Sequence, residues 1–580
     1  MATIVGRRRG KEIYYYFHSG VRIKLSPSDH GGKGPGSGPS KVVSKDIYLG
    51  TADTVLQRLR EGPVQVHARS FGLEMAALSV IREIGLVEAV DSVVPKRGQG
   101  MSVGNYLALG IVVKLASPHT SWHTFPDWLA RTALPDHFNL PRSLLDAQNF
   151  WDAFDKILPE APYRRRRGKD PEAVMDDEVV LKIEEQIWRR VREHYQVGLD
   201  TILYDTTNFF TYIAKENPAE LPRNGHSKAG RHERRQVSLA LAITRRFHLP
   251  LLHLVYPGNV HDATLFPGAL RRQVQRVAAL ARDAVHLVLV FDRGQNSKDN
   301  LHKVRGCGMH AVGGLSWAHH KDLLEVPLAD FRETEDDRLI AWEGLRDLWG
   351  LPVNVVITYN AVLAKKQRLA LAKILRTLRA NFREAHGKHR RATLPKQRRV
   401  LEKVSCGSRA GRYVAWSVDE DGRLHLAPSP AFALRVKQCG RRLLFSTDTG
   451  LHADEVIHLY NRDKAAVEEG IEDLKSPDLI RIQPLRAWTD TKIRVYALIC
   501  VLALLVLRLM AMKASPLGLS AKAMCRELED IREVIMVYSL RQAQRKVTAL
   551  STTQSELFRL FDLEAFTKKA GPELGVMSQH

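Results

Sequence analysis

The sequence predicts an α/β protein: a mixed-sheet core, split by an insertion and preceded by a helical domain. Three observations predict it. Strand-like apolar runs crowd residues 198–315, as LDTILYD, QVSLALAIT, PLLHLVYPG, VHLVLVFD and MHAVGGL. The first three follow one another directly and helical stretches separate the later ones, which describes a mixed sheet rather than an all-β fold. Upstream, residues 71–160 space their apolar side chains at helical intervals instead. Finally, two of the core runs end in an aspartate, and a helix far downstream offers a third acid.

Taken in order, residues 1–70 form a β-containing region. Within it HGGKGPGSGP at 30–39 reads as a loop or linker, and IYLGTADTVLQRL as a strand followed by a helix. Residues 71–195 form the helical domain. Leu73, Ala77, Val80, Ile81 and Ile84 share a face and Gly85 stops the helix. Leu107, Ile111 and Leu115 repeat the pattern before Pro118, and Ser143–Leu158 is a third helix carrying Trp151 and Phe154. The domain reads either as a ligand-free helical unit or as a DNA-binding one that lays a helix in the major groove. The run Arg164–Lys169 is a solvated linker, with phosphate contact as a second role.

Residues 196–315 are the first part of the core, with helices expected at 264–282 and 297–304. Residues 316–440 form the insertion. It contains a basic helix from Leu363 to about His386, the basic tail HGKHRRATLPKQRR, and a hairpin from GRYVAWSVD to GRLHLAPSP. The helix reads equally as a solvated surface helix or as one lying along a DNA backbone. The core resumes over 441–510, with the strand RLLFST and a long helix Ala453–Leu474, and 511–580 reads as helical.

Composition narrows the partners. The formal charge is +23, which favours a polyanion because neutralised phosphates release condensed counterions. The five cysteines, Cys307, Cys406, Cys439, Cys500 and Cys525, include no CxxC and no zinc-finger spacing, as expected of a reduced intracellular protein. No signal peptide is expected from the N-terminal run. The apolar run Ala497–Leu507 is too short to span a bilayer and reads as a buried core helix, so no membrane is expected.

Asp205 closes TILYD and Asp292 closes HLVLVFD. An acid at the end of a buried strand must be hydrated, paired or bound to metal. If the two strands are neighbours, both carboxylates emerge at one edge, and a divalent cation between them relieves their repulsion. An Asp closing a strand also serves as a turn former or helix N-cap, and for either residue alone that reading is the stronger. The third acid, Glu468, shares a helix face with Lys464 and Lys475; Glu472 lies on the same face as its rival, and Glu469 points elsewhere. Three carboxylates suit two hard cations about 4 Å apart, which serve the two oxygens exchanged at a phosphorus. Oxygen ligands favour Mg²⁺ or Mn²⁺, and His226, His232, His248, His253 and His261 show no ligand spacing.

These residues sit in stretches that resemble the bacterial insertion-sequence DDE transposases with a Tyr–Arg–Glu–Lys (YREK) signature. The resemblance spans roughly 70–510 and rests on LYDTTNFF at 203–210, GHSKAGRHERRQVSLALAIT with LPLLHLVYPGNVHDATLF, VLVFDRGQNSKDNL, and the segment beginning LYNRDKAAVEEGIEDLK. It implies an RNase H-like core with an insertion, Asp205, Asp292 and Glu468 as ligands of two divalent metal ions, and DNA contacts from Lys464, Lys475, Tyr460 and Arg462. Lys228 and Arg231 belong to a tight turn, with phosphate contact as a second role, and Asp262 caps a helix beginning near Ala263. One departure stands out. With Glu468 and Lys475 in register, Lys464 takes the family's Arg slot and Asn461 its Tyr slot, leaving Tyr460 one place early. On a regular helix that shift turns the side chain by about 100°.

The resemblance further implies double-stranded DNA as partner, both as terminal inverted repeats and as target, bound through the N-terminal helices. It implies a homodimer in the DNA complex and a bacterial cytoplasmic, nucleoid-associated location. The rival readings are a metal-dependent nuclease that does not rejoin and a non-catalytic DNA-binding descendant.

Overall fold

The computed structural model describes residues 2–24, 40–60, 63, 65–96, 98, 100–138, 146–158, 178–225, 227–228, 230–260, 276–277, 280, 286–293, 296–538 and 543–567. The expected linker at 30–39, the run Arg164–Lys169, most of the helix at 264–282, and His226, His261 and Asp262 lie outside them.

Strands β1 (Ala2–Arg9), β2 (Glu12–Lys24) and β3 (Ser40–Thr51) form an antiparallel sheet of their own, and the helix Ala52–Arg60 follows. After β4 (Gln65–Ser70) come the helices Gly72–Glu83 and Val103–Ala116. Gly85, in the left-handed conformation, ends the first helical stretch as its position suggested.

A nine-stranded mixed sheet carries the core. In chain order its strands are β5 (Thr201–Thr211), β6 (Arg235–Thr244), β7 (Pro250–Pro257), β8 (Val288–Phe291), β9 (His310–Gly314), β10 (Arg332–Glu333), β11 (Ile340–Leu348) and β12 (Leu351–Tyr359); after the small hairpin β13 (Val414–Val418) and β14 (Leu424–Pro428) comes the ninth, β15 (Arg441–Ser446). Across the sheet the order is β10-β11-β12-β15-β9-β8-β5-β6-β7. β5, β6 and β7 are mutually antiparallel, whereas β8 lies parallel to both β5 and β9. Every residue of β6 is buried, which needs cover on both faces and explains why its sequence is continuously apolar rather than alternating.

Two expectations change here. Residues 316–440 do not stand apart from the core: β10, β11 and β12 extend the main sheet through β15. What stands apart is the later half, where the basic helix Ala361–Lys388 packs Leu378 and Phe382 against the helix Leu394–Cys406 and the β13–β14 hairpin in a small core. Lys365, Lys366, Arg368, Lys373, Arg376 and Arg383 remain exposed on that helix. The tail is not purely helical either. β16 (Arg532–Val537) and β17 (Ala543–Val547) form a hairpin, and β16 pairs with β4, joining the two ends of the chain.

The apolar run at 497–507 lies in the helix Asp490–Ala514, which is buried as expected. Its flanking charges are provided for. Arg494 donates to the Val255 carbonyl of β7 (3.0 Å), and Arg508 reaches the helix Lys464–Lys475. The helices Gly72–Glu83 and Val103–Ala116 pack on this core helix, and nearly all their residues are buried. Neither has a free face for a DNA groove, which removes these two from the groove-reading role considered for the N-terminal domain.

Glu74 is enclosed in the first of those helices, and burial pushes its carboxyl up to about 7 in spite of hydrogen bonds from its own backbone N–H and from Ser70 and the charge of Arg532. An acid whose folded pKa is raised favours the folded state only while protonated, so its contribution fades as pH rises from about 4.5 through 7. Glu74→Gln is therefore expected to leave urea stability unchanged near pH 4 and to raise it by about 1–3 kcal/mol above pH 7; equal effects at both pH values would show that the carboxyl is not desolvated.

Candidate active site

Parallel pairing sets the site. β5 and β8 align Thr201 with Val288, Ile202 with Leu289 and Leu203 with Val290. Asp205 and Asp292 each stand two residues beyond the last pair, so they share one face and one level; Asp292 lies just past the end of β8, whereas Asp205 sits within β5, still paired with Leu241 of β6, and does not close its strand as the sequence suggested. Burial pushes the Asp205 carboxyl up; Lys228, the Thr206 N–H and Lys464 oppose this, and the Asp292 charge adds to it. Burial acts on Asp292 in the same sense, but the Lys464 ammonium, the Arg293 N–H and the Tyr460 hydroxyl outweigh it and hold that carboxyl below its usual range.

Glu468 approaches Asp292, though not Asp205, from the helix Lys464–Lys475, which turns Ala466, Val467, Gly470, Ile471 and Leu474 inward. Its phase is fixed from behind. Arg508 of the core helix donates to Glu469 Oε1 (3.1 Å) and forms an ion pair with Asp473 Oδ2 at 2.7 Å. With those two acids tied to the core, Glu468 faces the opposite way, into a cleft of about 680 Å³ that it shares with Asp292. Glu472, its rival, does not line that cleft. The Lys464 Nζ lies 3.1 Å from Asp292 Oδ1 and 3.9 Å from Glu468 Oε1, so one ammonium spans both acids.

The early tyrosine has a structural answer. Residues Leu459–Asp463 form a π turn between the helices Ala453–His458 and Lys464–Lys475. A π turn takes one extra residue, so the helix beyond it keeps its phase while the side chains before it are re-aimed. Tyr460 thereby donates its hydroxyl to Asp292 Oδ1 (3.1 Å), and burial together with the neighbouring carboxylate pushes its pKa up, keeping it a donor. Its ring lies against β9 where Gly314 stands: a Cβ there would fall 2.7 Å from the hydroxyl oxygen. Asn461, in the slot that the signature's spacing gives to tyrosine, accepts from Arg442 instead (3.1 Å).

The other candidates are distributed along β5. Lys228 donates to the Thr206 backbone oxygen and approaches its hydroxyl (3.3 Å). Lys475 donates to Thr207 Oγ1 (2.6 Å), and Arg231 lies over the Phe210 ring at 5.8 Å. Arg462 is not brought to the acids; it is exposed, and the carboxylate it acts on is Asp336. Sequence reasoning missed Gly314, Arg508 and the basic lining of the cleft, which includes Arg293, Arg435 and Arg442. It also missed a histidine group. His286, His310 and Asp448 bring ligand atoms within 4.8 Å of one another from three strand ends with no telling spacing. That group is internally satisfied: His286 pairs with Asp448 at 2.5 Å, and Arg305 donates to His310 Nδ1 (3.0 Å). The five cysteines are all free thiols.

A family profile described as "Transposase DDE domain" matches residues 214–506, just over half of the chain. The chain belongs to the DDE transposase family. The matched span holds Asp292 and Glu468 and begins just after the strand that carries Asp205. No curated protein matches the sequence. Among solved structures, one titled "Cryo-EM structure of piggyBac transposase synaptic complex with hairpin DNA (SNHP)" is similar at 10% identity and a TM-score of 0.36, covering 89% of each chain. At that score the likeness carries no argument about this transposase.

Two variants test the geometry. Gly314→Ala should displace the tyrosine and lower DNA cleavage at least as far as Tyr460→Phe does, with the fold intact by circular dichroism; unaltered cleavage in both would show that the Tyr460 contact is idle. Arg508→Met leaves the half-buried Asp473 without its counter-charge, at a cost of about 1–3 kcal/mol in denaturant stability, and lets the Glu468 helix rotate. Cleavage that falls no further than stability explains would separate packing from positioning.

Proposed function

We propose that this transposase cleaves DNA at the ends of its element and joins the exposed 3′ ends to target DNA, with Asp205, Asp292 and Glu468 as its catalytic carboxylates. The observation that carries the reading is the β5–β8 register, which sets two carboxylates side by side with a third across one shared ammonium. We read the core as RNase H-like, because three antiparallel strands are followed by β8 and β9 in parallel. The signature helix is read as of the insertion-sequence YREK type, with Lys464 in the Arg place.

DDE transposases use divalent metal ions, and the donor set here fits one. It offers hard carboxylate oxygens without sulfur, and burial still holds the Asp205 carboxyl up despite Lys228 and Lys464, a desolvated acid that a further cation would stabilise. Asp205, Asp292 and Glu468 would hold Mg²⁺ or Mn²⁺, which supplies Lewis acidity to the attacking and leaving oxygens of the phosphodiester. The chain's own residues do the rest. Tyr460 fixes the Asp292 carboxylate in one orientation through its hydrogen bond. Lys464 neutralises the acids and, once released from them, is within reach of a phosphate oxygen in the same cleft. Lys228 and Lys475 flank Asp205 along β5, where their charges offset a DNA backbone. The net charge of +23 favours the same partner, double-stranded DNA as terminal repeats and as target. Two ends held together call for two copies of the chain.

A non-catalytic descendant drew its support from the misplaced tyrosine, and the π turn accounts for that shift without loss of the site. A nuclease that does not rejoin would use the same acids, and strand-transfer products separate it from a transposase.

The test is excision of a marker from a plasmid by protein supplied separately, with the gene's native flanking DNA on either side. Wild type should excise it and leave joined products, whereas Asp205→Asn, Asp292→Asn and Glu468→Gln should each fold and bind DNA yet cut nothing. Normal excision by any one of these variants removes that residue from the site.

A further inference from the structure

A second basic feature lies away from the acids. The segment Arg481–Arg486 runs beside the far end of β5, where Leu485 N donates to the Phe210 carbonyl (3.2 Å) and Thr211 Oγ1 donates to the Leu485 carbonyl (3.0 Å). Between this segment, the helix Val103–Ala116 and the core helix Asp490–Ala514 is a cavity of about 50 Å³, lined by Lys114, Arg481, Gln483, Arg486 and Tyr496 among others. That volume exceeds the roughly 10–15 Å³ that one water needs and suits a compact group of several heavy atoms.

Lys114 is the informative residue. Its side chain is buried at 5% exposure in a helix that is otherwise apolar inside. It donates to Tyr496 Oη (2.6 Å) and lies over that ring at 4.6 Å, which uses one of its three N–H groups. The Tyr496 hydroxyl in turn donates to the Arg481 carbonyl (3.5 Å). Burial lowers the Lys114 pKa, and the groups that act on it are Cys500, Arg481 and Arg486; no carboxylate is among them. Cys500 supplies no charge, because burial pushes its thiol up to about 11. Buried Lys114, half-buried Arg481 and exposed Arg486 thus meet at one small cavity, and among the described residues no carboxylate acts on Lys114, whose buried ammonium an anion there would stabilise. The Gln483 amide lines the same space with its oxygen buried and unpartnered, and a half-turn of that amide would present N–H groups instead.

We propose that this cavity is an oxyanion pocket in which Lys114, Arg481 and Arg486 hold one phosphate of the DNA backbone, remote from the bond that is cut. The choice of DNA as the source rests on the DNA-joining reading above and on position. Asp205 lies six residues before Thr211 on β5, about 20 Å at ~3.3 Å per residue. Lys228 at Thr206 and Lys475 at Thr207, which also lies over the Phe209 ring, place cations between the acids and the pocket. A duplex laid along β5 would meet the acids with a phosphate of one strand and the pocket with one that faces the protein from across a groove.

The test uses the full chain and two probes. Inorganic phosphate, compared with chloride at equal ionic strength, should raise the melting temperature of wild type and leave that of Lys114→Met unmoved. Binding to a duplex of the native flanking DNA should lose about one unit of salt slope in Lys114→Met, and likewise in Arg486→Gln, an exposed position that keeps the test open if the buried variant fails to fold. If phosphate protects wild type selectively but the salt slopes do not change, the pocket takes free phosphate and the assignment to DNA is overturned. If phosphate affects wild type and both variants alike, there is no pocket. Both arms read binding alone, so they succeed or fail independently of excision.

Discussion

Everything at this site follows from one constraint: two buried strands run parallel in a register that sets an aspartate of each at the same level, where their pairing stops. Leu203 pairs with Val290, and two residues later Asp205 and Asp292 stand on the same face. Like charges so placed in a partly buried setting raise one another's cost of ionisation, and the protein must answer with positive charge. It does so in layers. Lys464 spans Asp292 and Glu468, Lys228 acts on Asp205, and Lys475 stands on the next residue but one along the strand. In the absence of metal this ammonium layer is what makes the carboxylate cluster tolerable, and its cations are the groups best placed to turn towards phosphate.

The third acid depends on a different mechanism. A helix can present Glu468 only if it cannot roll, and rolling is prevented on two sides. Arg508, from the buried helix Asp490–Ala514, ties down Glu469 and Asp473. The π turn at Leu459–Asp463 then lets the residues before it follow their own phase, so Tyr460 meets Asp292 while Glu468 keeps its place. A single extra residue in a helix is usually disruptive; here it is confined to one turn, and Gly314 leaves the room that the tyrosine ring needs.

Much of this was legible in the sequence because buried strands announce themselves. β5, β6 and β8 are covered on both faces, so they read as continuous apolar runs whose terminal acids are conspicuous. The face shared by Lys464, Glu468 and Lys475 followed from helical periodicity, and the buried nature of 497–507 from its length. What stayed hidden lacked a local signal. β11 mixes exposed and half-buried positions, as an outer strand does, and so looked like part of an insertion. β16 is completed by β4, hundreds of residues earlier, and no pattern within 511–580 reveals that partner. The π turn resembled a misplaced tyrosine because a motif's spacing counts residues rather than turns. The convergence of His286, His310 and Asp448 likewise required the sheet to be assembled first.

The account stands most directly on where a divalent cation goes. Crystals of the full-length transposase soaked in Mn²⁺, with anomalous differences measured at the manganese edge, would locate it. The account predicts a peak held between Asp205 and Asp292, with the Lys464 ammonium withdrawn from Asp292. Manganese bound elsewhere, for instance at His286, His310 and Asp448, with Lys464 still seated on Asp292, would contradict it.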